Sequence, residues 1–129
     1  MRRFIFSVQE AARLVIRAMN NIDSTGGKVL SQKMKASQIE DILKLFVDLY
    51  KGRYEKINER PGESVDETLI GESELPFAKE IMLDHQPHYL ISFNEKVEKP
   101  LPDILTSANA ERLNENEIMA IISNPPKFL

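Results

Sequence analysis

Arg60-Pro61-Gly62-Glu63 is the stretch whose residue types and spacing are best suited to chemistry. An arginine presents a planar fork of donors that matches a phosphate, and a glutamate presents acceptors that suit a pair of sugar hydroxyls. Two such charges are useful when their relation is fixed, and the residues between them fix it. Pro61 restricts its own φ and biases Arg60 toward extended backbone, while Gly62 permits a turn that other residues resist. Read without context, the same tetrapeptide is also an ordinary solvated surface turn with a local ion pair. The remaining candidates are thinner. Lys33 and Lys35 flank a strand end and read as surface lysines, with a loose substrate contact open to Lys33. Glu67 reads as a helix-capping residue. His85 and His88 have a metal-compatible spacing, but a zinc site needs three or four ligands, Pro87 interrupts the pair and the chain has no cysteine, so no metal is assigned.

The elements that must carry these residues follow from capping and periodicity. Arg3 to Phe6 is a short β-prone run. Ser7 with Glu10 forms a capping box ahead of Val8, Ala11, Ala12, Val15, Ala18, Met19 and Ile22, which mark one apolar helix face of the kind usually buried in a core. Lys28 to Met34 reads as a strand. Ser37 with Glu40 opens a second amphipathic helix that Gly52 closes at the position after its end. Tyr54 and Ile57 suggest a short strand leading into the Arg60 corner. Ser64 with Glu67 predicts a third helix over Val65 to Ile70, and Pro76 suits the first turn of another. Tyr89 to Phe93 is a strand. Glu95 to Ala110 is punctuated by prolines and charges and reads as an extended arm. Asn114 with Glu117 opens a last helix, with Leu113 and Ile118 as a hydrophobic staple, ending near Ile122 before Pro125 and Pro126. The expected fold is α+β (α/β-derived), with four to five helices and short strands, divided into residues 1–94 and an arm over residues 95–129.

Composition narrows the function classes. With 129 residues, the chain has the length of one small domain. A net charge of −3 argues against a nucleic-acid footprint, which needs a basic face. No apolar run approaches the ~20 residues of a membrane span. Zero cysteines remove disulfides and thiol catalysis and fit a cytoplasmic protein.

Four segments, in order, resemble the C-terminal part of a nucleotide-sugar 4,6-dehydratase/epimerase of the extended short-chain dehydrogenase/reductase superfamily, in the polysaccharide-biosynthesis branch that acts on UDP-N-acetylhexosamines such as UDP-N-acetylglucosamine. They are Met1-Arg2-Arg3-Phe4-Ile5-Phe6-Ser7 leading into Glu10-Ala11; Gly26-Gly27-Lys28-Val29-Leu30 with Lys33-Met34; Arg60 to Leu69, similar to the family's R-P-G-E…E-T-L; and Thr106-Ser107-Ala108-Asn109 followed by Leu113 and Glu117-Ile118. Residues 72–105 match loosely.

The resemblance implies that Arg3 and Arg60 contact the nucleotide diphosphate and Glu63 the ribose, with Lys33 and Glu67 as lesser contacts; Arg2 stands where the family has threonine and inherits no role. It also implies NAD(P) for the complete enzyme. This chain lacks the means to hold that cofactor, because Gly26 and Gly27 have no third glycine in fingerprint spacing. Tyr50, Tyr54 and Tyr89 are followed at i+4 by Tyr54, Asn58 and Phe93, so none forms the Tyr-x-x-x-Lys pair of the family. The expectation is a UDP-sugar-binding portion that is not catalytic alone, binds no cofactor by itself, and forms a homo-oligomer or joins a separate polypeptide carrying the Rossmann half. A non-catalytic assembly module derived from such an enzyme is the alternative.

Overall fold

The computed structural model describes residues 1–58 and 60–124. Among these, the chain forms an α+β fold of four α-helices and seven short strands. It begins with β1 (Arg2–Ile5), α1 (Val8–Asn20), the single turn α2 (Ile22–Thr25), β2 (Val29–Gln32), β3 (Lys35–Gln38) and α3 (Ile39–Tyr50). It continues with β4 (Thr68–Ile70), a 3-10 turn at Leu75–Phe77, β5 (Ala78–Leu83), β6 (Gln86–Ile91), β7 (Leu105–Thr106) and α4 (Glu115–Ser123). The strands make three small antiparallel sheets, β2-β6-β5, β1-β3 and β4-β7.

The core sits where the β2-β6-β5 and β4-β7 sheets meet. Ile70, Ala78, Tyr89 and Ile91 are buried there, with Leu69, Leu75, Phe77, Leu101 and Leu105 packed around them. Residues beyond 94 are stitched onto this core. The Val97 N–H donates to the Pro76 carbonyl, the Leu101 N–H donates to the Ala78 carbonyl, and β7 pairs with β4. α4 packs against α3, burying Ile118 and Ile122, and the Tyr50 hydroxyl donates to the Ile122 carbonyl at 2.8 Å.

Two of the four capping boxes form as read. Ser7 Oγ accepts from the Glu10 N–H while the Glu10 carboxylate accepts from the Ser7 N–H, and Asn114 with Glu117 repeats the arrangement at α4. The last helix ends at Ser123, and Pro125 and Pro126 lie outside the described residues. The other two boxes do not form. Ser37 lies buried in β3, opposite Arg3, and α3 starts after Gln38 without a side-chain cap. The helix expected over Val65 to Ile70 is instead a bend followed by β4, because Glu67 is held by partners elsewhere in the chain.

Three further expectations are corrected. Tyr54 to Ile57 is irregular rather than a strand. Pro76 sits in a 3-10 turn that gives way at once to β5, not in the first turn of a longer helix. The left-handed residue closing α3 is Lys51 (φ 57°), one position before Gly52.

α1 docks on its flank. Ala11, Leu14, Arg17 and Ala18 face the protein, whereas Val8, Val15, Ile16, Met19 and Ile22 are each more than half exposed. The apolar face expected to enter a core is therefore turned outward, and β2 is an edge strand of its sheet.

Candidate functional site

The Arg60 corner is a closed β-turn. The Glu63 N–H donates to the Arg60 carbonyl at 3.0 Å, and Gly62 takes φ +84° at the third position, the type II geometry that Pro-Gly favours. The Glu63 carboxylate folds back to accept from the Arg60 N–H at 3.2 Å, tying the ends of the turn a second time. Arg60 and Glu63 are exposed. Among the described residues no ion pair joins them, so the local pair that a bare turn would suggest does not form.

Arg3 is brought to the same loop. Its Nη1 donates to the carbonyls of Arg2 at 2.7 Å and Val65 at 3.3 Å, its Nη2 to that of Ser64 at 3.0 Å, and its Nε stands 3.6 Å from Glu67 Oε1. Arg3 thus binds the residue next to Glu63, fixing the loop while adding positive charge beside it. Glu67 also accepts from the Phe4 N–H at 2.8 Å, so its carboxylate joins β1 to the loop instead of capping a helix. Lys33 lies apart from this cluster, in the link between β2 and β3, with its side chain exposed.

A shallow cleft of about 460 Å³ beside the loop is lined by Phe4, Phe6, Met34, Ser64, Asp66 and Glu67. Phe4 and Met34 also line a neighbouring cavity of about 350 Å³, together with Lys33, Tyr89, Thr106 and Asn109. Tyr89 is buried there, and desolvation, with Glu80 adding to it, raises its phenol above the ordinary value. The Arg60 turn stands outside the walls of both spaces. In chemical terms the assembly offers guanidinium donors, carboxylate acceptors and a half-enclosed space beside them, a set that can bind an anion and hydroxyls.

Sequence reasoning missed what holds this loop. Arg2 pairs with Asp66 through two hydrogen bonds, Nε to Oδ1 at 2.5 Å and Nη2 to Oδ2 at 2.6 Å. Ser107, fully buried, accepts from the Glu67 N–H at 2.9 Å, and its hydroxyl lies 3.1 Å from Asp66 Oδ1 and 3.2 Å from the Arg2 carbonyl. Arg2 and Asp66 are 64 positions apart, so no local pattern could reveal the pair. Its positioning role emerges only from tertiary structure.

The clamp has a pH signature. The hydrogen bond from Arg2 holds the Asp66 carboxyl below its ordinary range, helped by Ser107. Glu117 is lowered by Lys35, and Glu40 by Lys56. A carboxylate whose folded pKa lies below its unfolded one contributes stability that is complete above the unfolded pKa and is lost as pH falls through the folded value. Urea unfolding below about pH 4 should therefore show stability falling with acid, with a shallower slope in Asp66→Asn. Equal slopes would remove Asp66 from the account.

His85 and His88 do not converge. His85 occupies the β5–β6 hairpin turn, exposed, with φ +60°. His88 is buried in β6, with Nδ1 2.9 Å from the Gln86 carbonyl and Nε2 3.5 Å from Arg17 Nη1. Among the described residues, no three His, Cys, Asp or Glu side chains are grouped to hold a metal ion.

Comparison with known proteins agrees with the architecture. Uncharacterized membrane protein MJ1061 of Methanocaldococcus jannaschii is 28% identical over 131 residues, covering 95% of this chain and 38% of that protein. The X-ray structure of Pen from Bacillus thuringiensis shares the fold, with a TM-score of 0.73 at 24% identity, over 95% of this chain and 38% of that one. The chain thus spans about two fifths of the length of each. Among the described residues no helix is long and apolar enough to cross a membrane. The pattern of the polysaccharide biosynthesis protein family matches residues 1–91, which include β1, the Arg60 turn and the β5–β6 hairpin. The chain belongs to the polysaccharide biosynthesis protein family.

Proposed function

We propose that this chain is the nucleotide-sugar-binding portion of a polysaccharide-biosynthesis enzyme of the NAD(P)-dependent 4,6-dehydratase/epimerase type, acting in the cytoplasm on a UDP-N-acetylhexosamine. Its part is to hold the UDP end of the substrate. Hydride transfer and proton abstraction belong to a Rossmann half with its own cofactor. The observation that carries the reading is the doubly closed Arg60–Glu63 turn, which holds an exposed guanidinium and carboxylate beside the Arg3-bound loop. The adjacent 350 Å³ cavity offers the sugar polar contacts from Lys33, Thr106 and Asn109. Binding a remote, unreacting part of a substrate contributes to catalysis by fixing the reacting part in place. Calorimetric titration with UDP tests this. Weak, saturable binding that Arg60→Ala reduces supports the reading; absent binding, or equal binding by both proteins, removes it.

The exposed apolar face of α1 favours a second reading, in which the chain is a non-catalytic assembly module. Four large apolar side chains more than half exposed on one short helix, with Ile22 just after it and an edge strand nearby, are the kind of surface that tends to associate. Under this reading, light scattering at high concentration gives a dimer or larger species, and Met19→Lys shifts it toward monomer. A monomer in wild type excludes self-assembly through that face.

A further inference from the structure

A second group of cationic side chains lies away from the Arg60 turn, lining a cleft of about 410 Å³ between α1 and the ends of β2 and β6. Its cations are Arg13, Arg17, Lys33 and Lys35, and its acids are Glu10 and Glu111. Asp84 and Glu117 stand at its border, paired with Arg17 and Lys35, so the cleft is distinguished by the geometry of its donors and not by net charge. Both lining acids have partners that hold their carboxylates in place. Glu10 accepts from the Ser7 N–H at 2.6 Å and the Ser7 hydroxyl at 2.8 Å in the cap of α1. Glu111 pairs with Lys35 at 2.8 Å, and Glu117 pairs with the same ammonium. Lys35 is thereby neutralised twice over and Arg17 is paired with Asp84 through its Nε, which leaves Arg13 and Lys33 without an ion pair among the described residues and the Nη groups of Arg17 as further donors.

The wall between them is rigid and polar. Arg17, one turn after Arg13 on α1, is mostly buried and keeps its Nε on Asp84 at 2.9 Å. The Gln86 carbonyl can only accept, so His88 carries its proton on Nδ1 and directs Nε2 as an acceptor at Arg17. That contact, at 3.5 Å, is long enough for the guanidinium to turn toward a stronger acceptor.

We propose that this cleft is a second anion site that takes the phosphate group of a small phosphorylated ligand, with Arg13, Arg17 and Lys33 as its donors and His88 as the fixed wall behind them. Guanidinium forks suit phosphate oxygens geometrically, and the volume lies in the range of small-ligand sites, with room beyond a bare phosphate. The site goes beyond the UDP-binding reading; it shares Lys33 with the 350 Å³ cavity, whereas Arg13, Arg17 and His88 line this cleft and not that cavity.

The test is NMR of the 129-residue chain, following the His88 Nε2 resonance during titration with inorganic phosphate and, separately, glucose 1-phosphate. Both ligands should shift it saturably, with the sugar phosphate binding more tightly if the rest of the cleft contributes. Arg13→Ala should weaken either by roughly tenfold, the effect of removing one charge-assisted hydrogen bond. Arg13 is exposed and its loss should not perturb the fold, which the unliganded spectrum checks. Lys96→Ala, on a different cavity, should change nothing, and Arg60→Ala should leave the His88 response intact whatever it does to UDP binding. No shift at millimolar phosphate, or an equal shift in Arg13→Ala, overturns the proposal.

Discussion

Replacing Ile70 by alanine is expected to remove about 2–5 kcal/mol of folding stability. The side chain has no solvent exposure and stands in β4, the strand that carries the chain from the Arg60 loop into the core. It belongs to one buried cluster with Ala78, Tyr89 and Ile91 of the β5–β6 hairpin, against which Leu101 and Leu105 of the returning segment pack. Truncation removes apolar burial and leaves a cavity that two separate sheets must share, so collapse cannot easily fill it. A small domain has only about 5–15 kcal/mol to lose, so the urea midpoint should fall steeply. Ile70→Val keeps most of the volume and should cost about 0.5–1.5 kcal/mol. An Ile70→Ala loss below about 1 kcal/mol, on the same scale as Val, would mean that the two sheets do not close on this residue.

Arg60→Ala carries the largest expected effect on ligand binding. A hydrogen bond to a charged group contributes about 1.5–3 kcal/mol, which corresponds to roughly tenfold to a hundredfold in affinity for UDP. The turn itself should survive, since its two closing bonds are made by the backbone of Arg60 and by Glu63, not by the guanidinium. That separation makes the experiment informative, because lost binding would report the side chain and not a collapsed loop. Glu63→Gln should cost less: an amide keeps an acceptor for the Arg60 N–H but gives up charge-assisted acceptance. Lys33→Ala should cost least, because Lys33 lies apart from the loop on the cavity wall. A ranking with Lys33 first would move the diphosphate away from the turn.

What the sequence made legible is local. The Arg60 turn could be read because Pro61 and Gly62 determine it within four residues. The Ser7 and Asn114 boxes could be read because nothing distant competes for them. Ser37 with Glu40 and Ser64 with Glu67 have the same spacing, yet Ser37 is drawn into β3 opposite Arg3, and Glu67 is taken by the Phe4 N–H on one side and Ser107 on the other. A capping box is a local preference of about 1 kcal/mol, small enough for one tertiary hydrogen-bond network to override. The β5–β6 hairpin escaped for a different reason. Its turn places Asp84 and His85 at φ +50° and +60°, where Asn-Gly or Asp-Gly would announce it. At the site, the candidate residues could be named from the chain, but the Arg2–Asp66–Ser107 clamp that positions them could not.

That clamp also says something about the order of folding. Ser107 and the Arg2 carbonyl meet across 105 positions, and Arg2 and Asp66 across 64. Bringing such distant segments together carries a loop-closure entropy that α1, α3 and the β5–β6 hairpin, built from near neighbours, do not face. The helices and the hairpin can therefore consolidate early, while the loop bearing Arg60 must wait for residues 2, 66 and 107 to assemble. Nascent chain that has emerged only through residue 91 contains the whole family-matched segment but lacks the hydroxyl that ties it. The surface proposed to grip the ligand is then, with the docking of α4, among the later parts of this protein to acquire its shape.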